Sequence, residues 1–234
     1  MITCWDLANK MIGDSRRVLL YGPPGTGKTF AATTYNLNDN GVDATTLTED
    51  SSAAELRGFY LPSKEEFKWQ YGTGINAWLK GGRLVVNEID HAGGDVSTFL
   101  HALLDDPEYA FITLPNEEGI DGAGEVVKPA DGFHVVATMN GTPDMLNPAL
   151  ADRFPVKINI DSVHPKALEV LSKDLRQLAG ELAVAKDERR TSIRSWLEFD
   201  KLREKHNAQV AAQAVWGSNG EDMLIALNSD TDIE

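Results

Sequence analysis

Eight consecutive residues, Gly22-Pro23-Pro24-Gly25-Thr26-Gly27-Lys28-Thr29, have the types and spacing to hold phosphate. They satisfy the pattern G-x-x-x-x-G-K-[ST]. Glycines let backbone N–H groups close around phosphate oxygens, and a helix N-terminus behind them adds partial positive charge. In such a loop Lys28 reaches the β- and γ-phosphates of a bound nucleotide, and the Thr29 hydroxyl ligates Mg²⁺. The flanks suit this task. Arg17-Val18-Leu19-Leu20-Tyr21 is a short apolar run with the look of a buried strand, and Phe30-Ala31-Ala32-Thr33-Thr34-Tyr35 continues as a helix.

Two further runs end in polar groups suited to nucleotide chemistry. Arg83-Leu84-Val85-Val86 leads into Asn87-Glu88, and Phe133-His134-Val135-Val136-Ala137-Thr138-Met139 leads into Asn140. The first resembles a Walker B strand. Glu88 is then the residue that orients or deprotonates an attacking water, and Asn140 bonds the γ-phosphate or that water. The position before the glutamate usually carries Asp, which holds Mg²⁺ through its water shell. Here it is Asn87, whose amide oxygen accepts a bond from metal-bound water but brings no charge, so weaker Mg²⁺ binding is expected. Asp90 shares a face with Glu88 rather than with Asn87 if the strand runs that far.

These groups need a scaffold. Residues 4–13 read as a helix, 42–47 as a second strand, and Ser51 as the cap of a short helix over 51–56. Pro62 and flanking glycines interrupt helical patterning at 58–72, which reads as an inserted loop or hairpin. It carries the aromatics Phe59, Tyr60, Phe67, Trp69 and Tyr71, of which Phe59, Tyr60 or Trp69 suits gripping another protein, while the whole set equally suits packing the insertion on its own domain. Residues 95–105 read as a helix. Residues 109–114 and 124–127 read as arms of a second hairpin joined by an acidic, glycine-rich turn. A short helix over 147–154 and a final strand over 156–160 follow. Beyond Asp161 only helical patterns remain, over 165–183, 187–205, 208–215 and 219–228. Alternating strands and helices predict an α/β fold, a mostly parallel sheet with helices on both faces. Ligands bind such sheets at the carboxyl ends of strands. A boundary near 161 divides an α/β core, residues 1–161, from a smaller helical region, 162–234.

The chain has 234 residues and a formal charge of −14. That acidity argues against a general nucleic-acid binder. Cys4 is the one cysteine, so no internal disulfide forms, and the five histidines lack zinc spacing. No apolar run reaches the ~18–20 residues of a membrane helix, and the N-terminus does not read as a signal peptide. A cytoplasmic protein is the expectation.

The glycine loop, Asn87-Glu88-Ile89-Asp90, Ala137-Thr138-Met139-Asn140 and Ala151-Asp152-Arg153-Phe154 stand in the order and spacing of AAA+ ATPases. The insertions at 58–72 and 109–128 and the phrase Ala-Thr-Met-Asn most resemble the MoxR-like and dynein-related branch, which includes CbbQ/NorQ-type activators. The resemblance covers about residues 15–160 and, loosely, the tail. It implies a P-loop NTPase sheet with a helical lid, ATP and Mg²⁺ as ligands, and ATP hydrolysis in a ring of identical subunits, six being usual. It implies that Asn140 is sensor 1, Arg153 an arginine finger reaching a neighbouring subunit's γ-phosphate, and Arg194 sensor 2. The residue types leave plainer roles open, Arg153 capping its helix or pairing with Asp152, and Arg194 lying on a basic surface. The resemblance further implies a protein client, with von Willebrand factor A domain proteins as frequent partners. Asn87 departs from the pattern. Two rival functions follow, a nucleotide-binding subunit that hydrolyses poorly and a nucleic-acid motor.

Overall fold

The computed structural model describes residues 2–63, 66–115, 124–186 and 188–231. The turn expected between the arms of the second hairpin lies mostly outside them. The chain forms two compact units. One comprises residues 1–21 and 29–159, the other residues 22–28 and 160–234.

The first unit is built on a five-stranded parallel sheet in the order β2-β5-β8-β1-β9. Its strands are β1 (Arg17–Gly22), β2 (Val42–Thr46), β5 (Arg83–Asn87), β8 (His134–Asn140) and β9 (Val156–Asn159). The register sets Thr46 beside Asn87 and Val86 beside Ala137. β5 is buried at all five positions and β8 at its five central ones, as continuous apolar strands covered on both faces require. This is the predicted α/β sheet.

Helices α1 (Cys4–Asp14), α2 (Lys28–Thr34), α3 (Ala53–Arg57), α4 (Thr73–Lys80), α5 (Gly94–Leu103) and α6 (Pro148–Asp152) belong to this part of the chain. α1 starts at a capping box, Thr3 with Asp6. α3 does so too, but its cap is Ser52 with Glu55, not the expected Ser51. The Ser51 hydroxyl instead accepts from the Thr48 N–H at 3.0 Å, so it shapes the preceding turn. The core joins Leu19, Leu84, Val86, Val135 and Ala137 of the sheet to Leu56, Trp78, Leu100 and Leu103 of the helices. The Trp78 and Phe133 rings stack with centroids 5.9 Å apart.

The insertion at 58–72 is an antiparallel hairpin, β3 (Gly58–Ser63) and β4 (Glu66–Tyr71). Trp69 and Tyr71 pack partly against the core, whereas Phe59, Tyr60, Leu61 and Phe67 are exposed. The second pair is β6 (Ile112–Leu114) with β7 (Glu125–Val127). β6 is shorter than expected because Tyr109 and Ala110 close a turn on Asp106. The Tyr71 hydroxyl donates to Glu125 at 3.1 Å, and the Tyr60 hydroxyl donates to the Pro115 carbonyl, tying the pairs together.

In the second unit, residues 165–183 are not one helix. α7 (Pro165–Val170) stops before Ser172, whose N–H donates to Asp200 at 2.7 Å, and α8 (Arg176–Ala183) starts afresh. α9 (Ile193–Lys205) begins six residues later than its period suggested, because Ser192 caps it by accepting from the Ser195 N–H. α10 (Ala208–Trp216) and α11 (Gly220–Thr231) complete the unit. Its core gathers Leu171, Leu175, Ala179, Trp196, Phe199 and Ala212. Arg203 spans Asp174, at 2.6 and 2.9 Å, and Asp200, at 2.9 Å. Among the described residues no helix is long and apolar enough to cross a membrane.

Candidate nucleotide site

Asn87 and Asn140 end two adjacent parallel strands, β5 and β8. The 94% buried Asn87 accepts with Oδ1 from Thr29 Oγ1 at 2.8 Å and from Thr138 Oγ1 at 3.0 Å. Its Nδ2 donates to the Thr45 carbonyl at 3.3 Å. Asn140 Nδ2 donates to Glu88 Oε2 at 2.6 Å. The structure thus gathers Thr29 with Asn87, and Glu88 with Asn140. Thr45 and Thr138 were not singled out from the sequence. Thr138 lies two residues before Asn140, on the same face of its strand, which is the signal it offered.

β5 does not extend to Asp90. Glu88 takes φ 54°, ψ 47°, left-handed values that are uncommon for a residue with a side chain, and Ile89–His91 form a short 3-10 turn. The turn nevertheless leaves Glu88, Asp90 and His91 with ligand atoms within 4.8 Å of one another. Asp90 Oδ1 is buried with no hydrogen-bond partner.

Arg153 follows α6. Its Nε donates to the His101 carbonyl at 3.1 Å, and Nη2 lies 3.8 Å from Asp105 Oδ1. Its side chain therefore engages the end of α5 and the residues after it, rather than Asp152. Burial, with the Arg153 charge beside it, lowers the pKa of His101.

The loop belongs, by its contacts, to the second unit. Lys28 is 7% exposed and donates from Nζ to the carbonyls of Gly22 at 2.9 Å and Pro23 at 2.7 Å. The Thr26 hydroxyl donates to the Pro23 carbonyl at 3.1 Å. The His164 N–H donates to the Thr26 carbonyl at 2.8 Å, and Arg190 Nη2 to the Pro24 carbonyl at 3.1 Å. Gly25 and Gly27 have φ of +81° and +109°, a region that favours glycine. A Cβ on Gly27 would stand 2.7 Å from His164 Cβ. His164 is buried, which is the first cause of its lowered pKa. Neither His164 nor Arg190 stood out in sequence. Arg194 lies exposed in the first turn of α9, and Phe30 is 41% exposed on α2.

Residues 17–154 match the AAA domain (dynein-related subfamily). Protein NorQ of Paracoccus denitrificans (strain Pd 1222) is 33% identical over 163 residues, 67% of this chain and 57% of NorQ. An uncharacterized protein of Staphylococcus aureus (strain USA300) is 30% identical over 189 residues, 76% of this chain and 68% of its own length. One from Staphylococcus saprophyticus is 30% identical over 194 residues, 79% and 70% of the two chains. The alignment therefore spans little more than half of NorQ. With the family match covering 17–154 and the relatives extending past it, the chain belongs to the AAA+ family, in its dynein-related, MoxR-like branch.

Proposed function

We propose that the chain binds and hydrolyses ATP as a ring of identical subunits, six by family resemblance, and uses the cycle to remodel or activate a protein partner. The observation that carries the reading is the Asn140–Glu88 bond of 2.6 Å, an amide holding a carboxylate in one direction at the carboxyl ends of two adjacent strands. A general base must be oriented as well as basic, and this pair supplies the orientation.

The residues fit the ligands the family implies. The positive φ of Gly25 and Gly27 and the lack of room for a Cβ at Gly27 suit a loop whose N–H groups turn toward phosphate. The hydroxyl of Thr29, the amide oxygen of Asn87 and the partnerless Asp90 oxygen are hard donors of the kind Mg²⁺ takes. When bound, the metal neutralises phosphate charge. In this reading Thr29 and Asn87 hold it. Lys28 leaves its loop carbonyls for the β- and γ-phosphates, and Glu88 takes a proton from the attacking water. Asn140 fixes Glu88, and Arg153 of a neighbouring subunit offsets charge spreading onto the γ-phosphate oxygens. Residues 22–27 and Phe30 line the nucleotide, and Arg194 serves as the lid's sensor. Residues 1–161 act as the nucleotide-binding core and 162–234 as the lid, in a cytoplasmic assembly. A partner with a von Willebrand factor A domain is the client class the resemblance favours.

Phosphate release with and without Mg²⁺ tests the reading. Turnover by the wild type, lost in Glu88→Gln while ATP still binds, supports it. A pull-down with ATP-loaded Glu88→Gln is expected to retain the client. ATP binding without wild-type turnover favours a nucleotide-binding subunit instead, and the neutral Asn87 motivates that second reading. The charge of −14 disfavours a nucleic-acid motor, which nucleic-acid stimulation of turnover would revive.

A further inference from the structure

The turn after β5 brings together three metal-ligating side chains of mixed chemistry. Ile89–His91 form one 3-10 turn, closed by the His91 N–H donating to the Glu88 carbonyl at 2.9 Å. An extended strand would send His91 to the face opposite Glu88 and Asp90. The turn folds it back, and one ligand atom from each of Glu88, Asp90 and His91 lies within 4.8 Å of the other two.

Asp90 is the unexplained member. Its side chain is 13% exposed, and Oδ1 is buried with no hydrogen-bond partner among the described residues. Oδ2 stands 3.9 Å from His91 Nε2, beyond hydrogen-bond reach. A buried carboxylate oxygen without a donor is costly, and a cation is one of the few groups that offset that cost. Glu88 is half committed. Asn140 donates to its Oε2, and a carboxylate has a second oxygen to offer. His91 brings a nitrogen on a side chain 44% exposed, open to an ion arriving from solvent.

Two carboxylates and an imidazole discriminate among cations. Mg²⁺ takes oxygen ligands and gives up water reluctantly, so the imidazole is of no use to it. Imidazole with carboxylates suits Zn²⁺ and the later first-row divalent ions, and zinc accepts three protein ligands with water in the remaining position. All three side chains come from four successive residues whose turn is already closed, so little chain is left to order on binding.

We propose that Glu88, Asp90 and His91 form a transition-metal site, taking Zn²⁺ in preference to Mg²⁺, and that the bound ion switches hydrolysis off. The site is separate from the Mg²⁺ position assigned above to Thr29 and Asn87. A Glu88 carboxylate bound to Zn²⁺ has a lone pair on the metal and no longer serves as a base toward water. This switch rests on the hydrolytic reading above, in which Glu88 is that base. The binding site rests on the cluster alone.

Zn²⁺ itself is the probe. Its affinity for the nucleotide-free protein is measured against a chromophoric chelator with Mg²⁺ in excess, and phosphate release from ATP and Mg²⁺ is followed as Zn²⁺ is added. Wild type binds Zn²⁺ under these conditions. His91→Ala weakens binding by about 10-fold or more, at least the loss on removing a residue that only supports a metal ligand. Asp90→Asn, which removes a charge, also weakens it. His206→Ala, at an exposed histidine after α9, leaves it unchanged. Wild-type turnover falls with added Zn²⁺ and returns with a chelator. His91→Ala turns over at the wild-type rate without Zn²⁺ and resists inhibition. Equal Zn²⁺ affinity in wild type and His91→Ala overturns the site. Equal inhibition of the two, despite unequal affinity, overturns the switch. A wild type that releases no phosphate without Zn²⁺ overturns the hydrolytic reading and the switch with it, and the affinity comparison still decides the site.

Discussion

Asn140 holds Glu88 by a 2.6 Å bond from its amide nitrogen to Oε2, joining the ends of β8 and β5. Glu88 sits in the left-handed region, φ 54° and ψ 47°. That conformation costs roughly 1–2 kcal/mol for a residue with a side chain. The bond and the backbone together set where the carboxylate points. Asn140→Ala is expected to lower turnover by about 10²-fold, the scale of a misplaced reacting group. ATP affinity changes little. Steady-state phosphate release with a parallel binding titration checks this, and unchanged turnover would remove Asn140 from the mechanism.

Arg153 is held within its own chain by the His101 carbonyl and lies near Asp105. If its catalytic work is done on a neighbour, two defective subunits should complement. Arg153→Ala is expected to lose about 10³-fold or more in turnover, the lower range for an arginine finger. Mixing it with Glu88→Gln recreates interfaces carrying an intact glutamate and an intact arginine, so activity returns. A mixture as inactive as its parts would place Arg153 outside the neighbour's site.

Arg83 is fully buried and serves three acceptors. It donates to the Ala32 carbonyl at 2.9 Å, the Asn36 carbonyl at 2.7 Å and His134 Nε2 at 2.8 Å. Burial lowers its pKa to about 10, so it stays charged at neutral pH. The side chain ties the end of α2, the helix that opens with Lys28 and Thr29, to β5 and β8. Arg83→Met leaves buried acceptors without donors and is expected to cost about 3 kcal/mol. At this chain length that is about 10 °C in unfolding temperature. Arg83→Lys restores only part, because an ammonium lacks the planar fork. Calorimetry of the three proteins decides.

His134 accepts from Arg83 with Nε2, so its hydrogen is on Nδ1, 2.8 Å from the Gly132 carbonyl. Burial, with the Arg83 charge, lowers its pKa against the opposing bond to Gly132. His101 and His164 are also lowered, each first by burial. The folded state therefore takes up these protons later than the unfolded chain does. Stability is full above the ordinary histidine pKa of about 6.5 and falls as pH drops through it toward the lowered values. His134→Gln keeps an acceptor for Arg83 and cannot titrate. Denaturant unfolding from about pH 8 to about pH 5 should show a shallower decline for this variant. An unchanged slope would mean that His134 contributes none of it.

The groups legible in sequence were those whose meaning lies within one short run. The glycine loop, Asn87-Glu88 and Asn140 each sit at the end of an apolar stretch, and the sheet placed the latter two on adjacent strands. The three partners of Asn87 were not legible, because Thr29, Thr45 and Thr138 come from a helix and two other strands. Their meeting depends on the pairing register. The same cause hid Arg83, which reads as the first residue of a strand and is the end of a buried network. Helical period carried across 165–183, yet the helix breaks where Asp200 claims the Ser172 N–H. Ser51 and Ser52 are equivalent as candidate caps until Glu55 selects the second by closing a capping box. The 58–72 aromatics divide. Trp69 and Tyr71 turn inward, while Phe67 is 65% exposed and free for other work.

The loop of residues 22–28 takes backbone support from His164 and Arg190, the latter 166 positions further along the chain. Motif and conformation are therefore separately encoded. A fragment ending after β9 would still carry every letter of the phosphate-binding pattern, and any search by spelling would find it. It would lack the donors that hold the Thr26 and Pro24 carbonyls and the side chain that closes over Gly27. On the nucleotide-binding reading proposed above, changes in the C-terminal helices alter nucleotide affinity while leaving the signature sequence untouched.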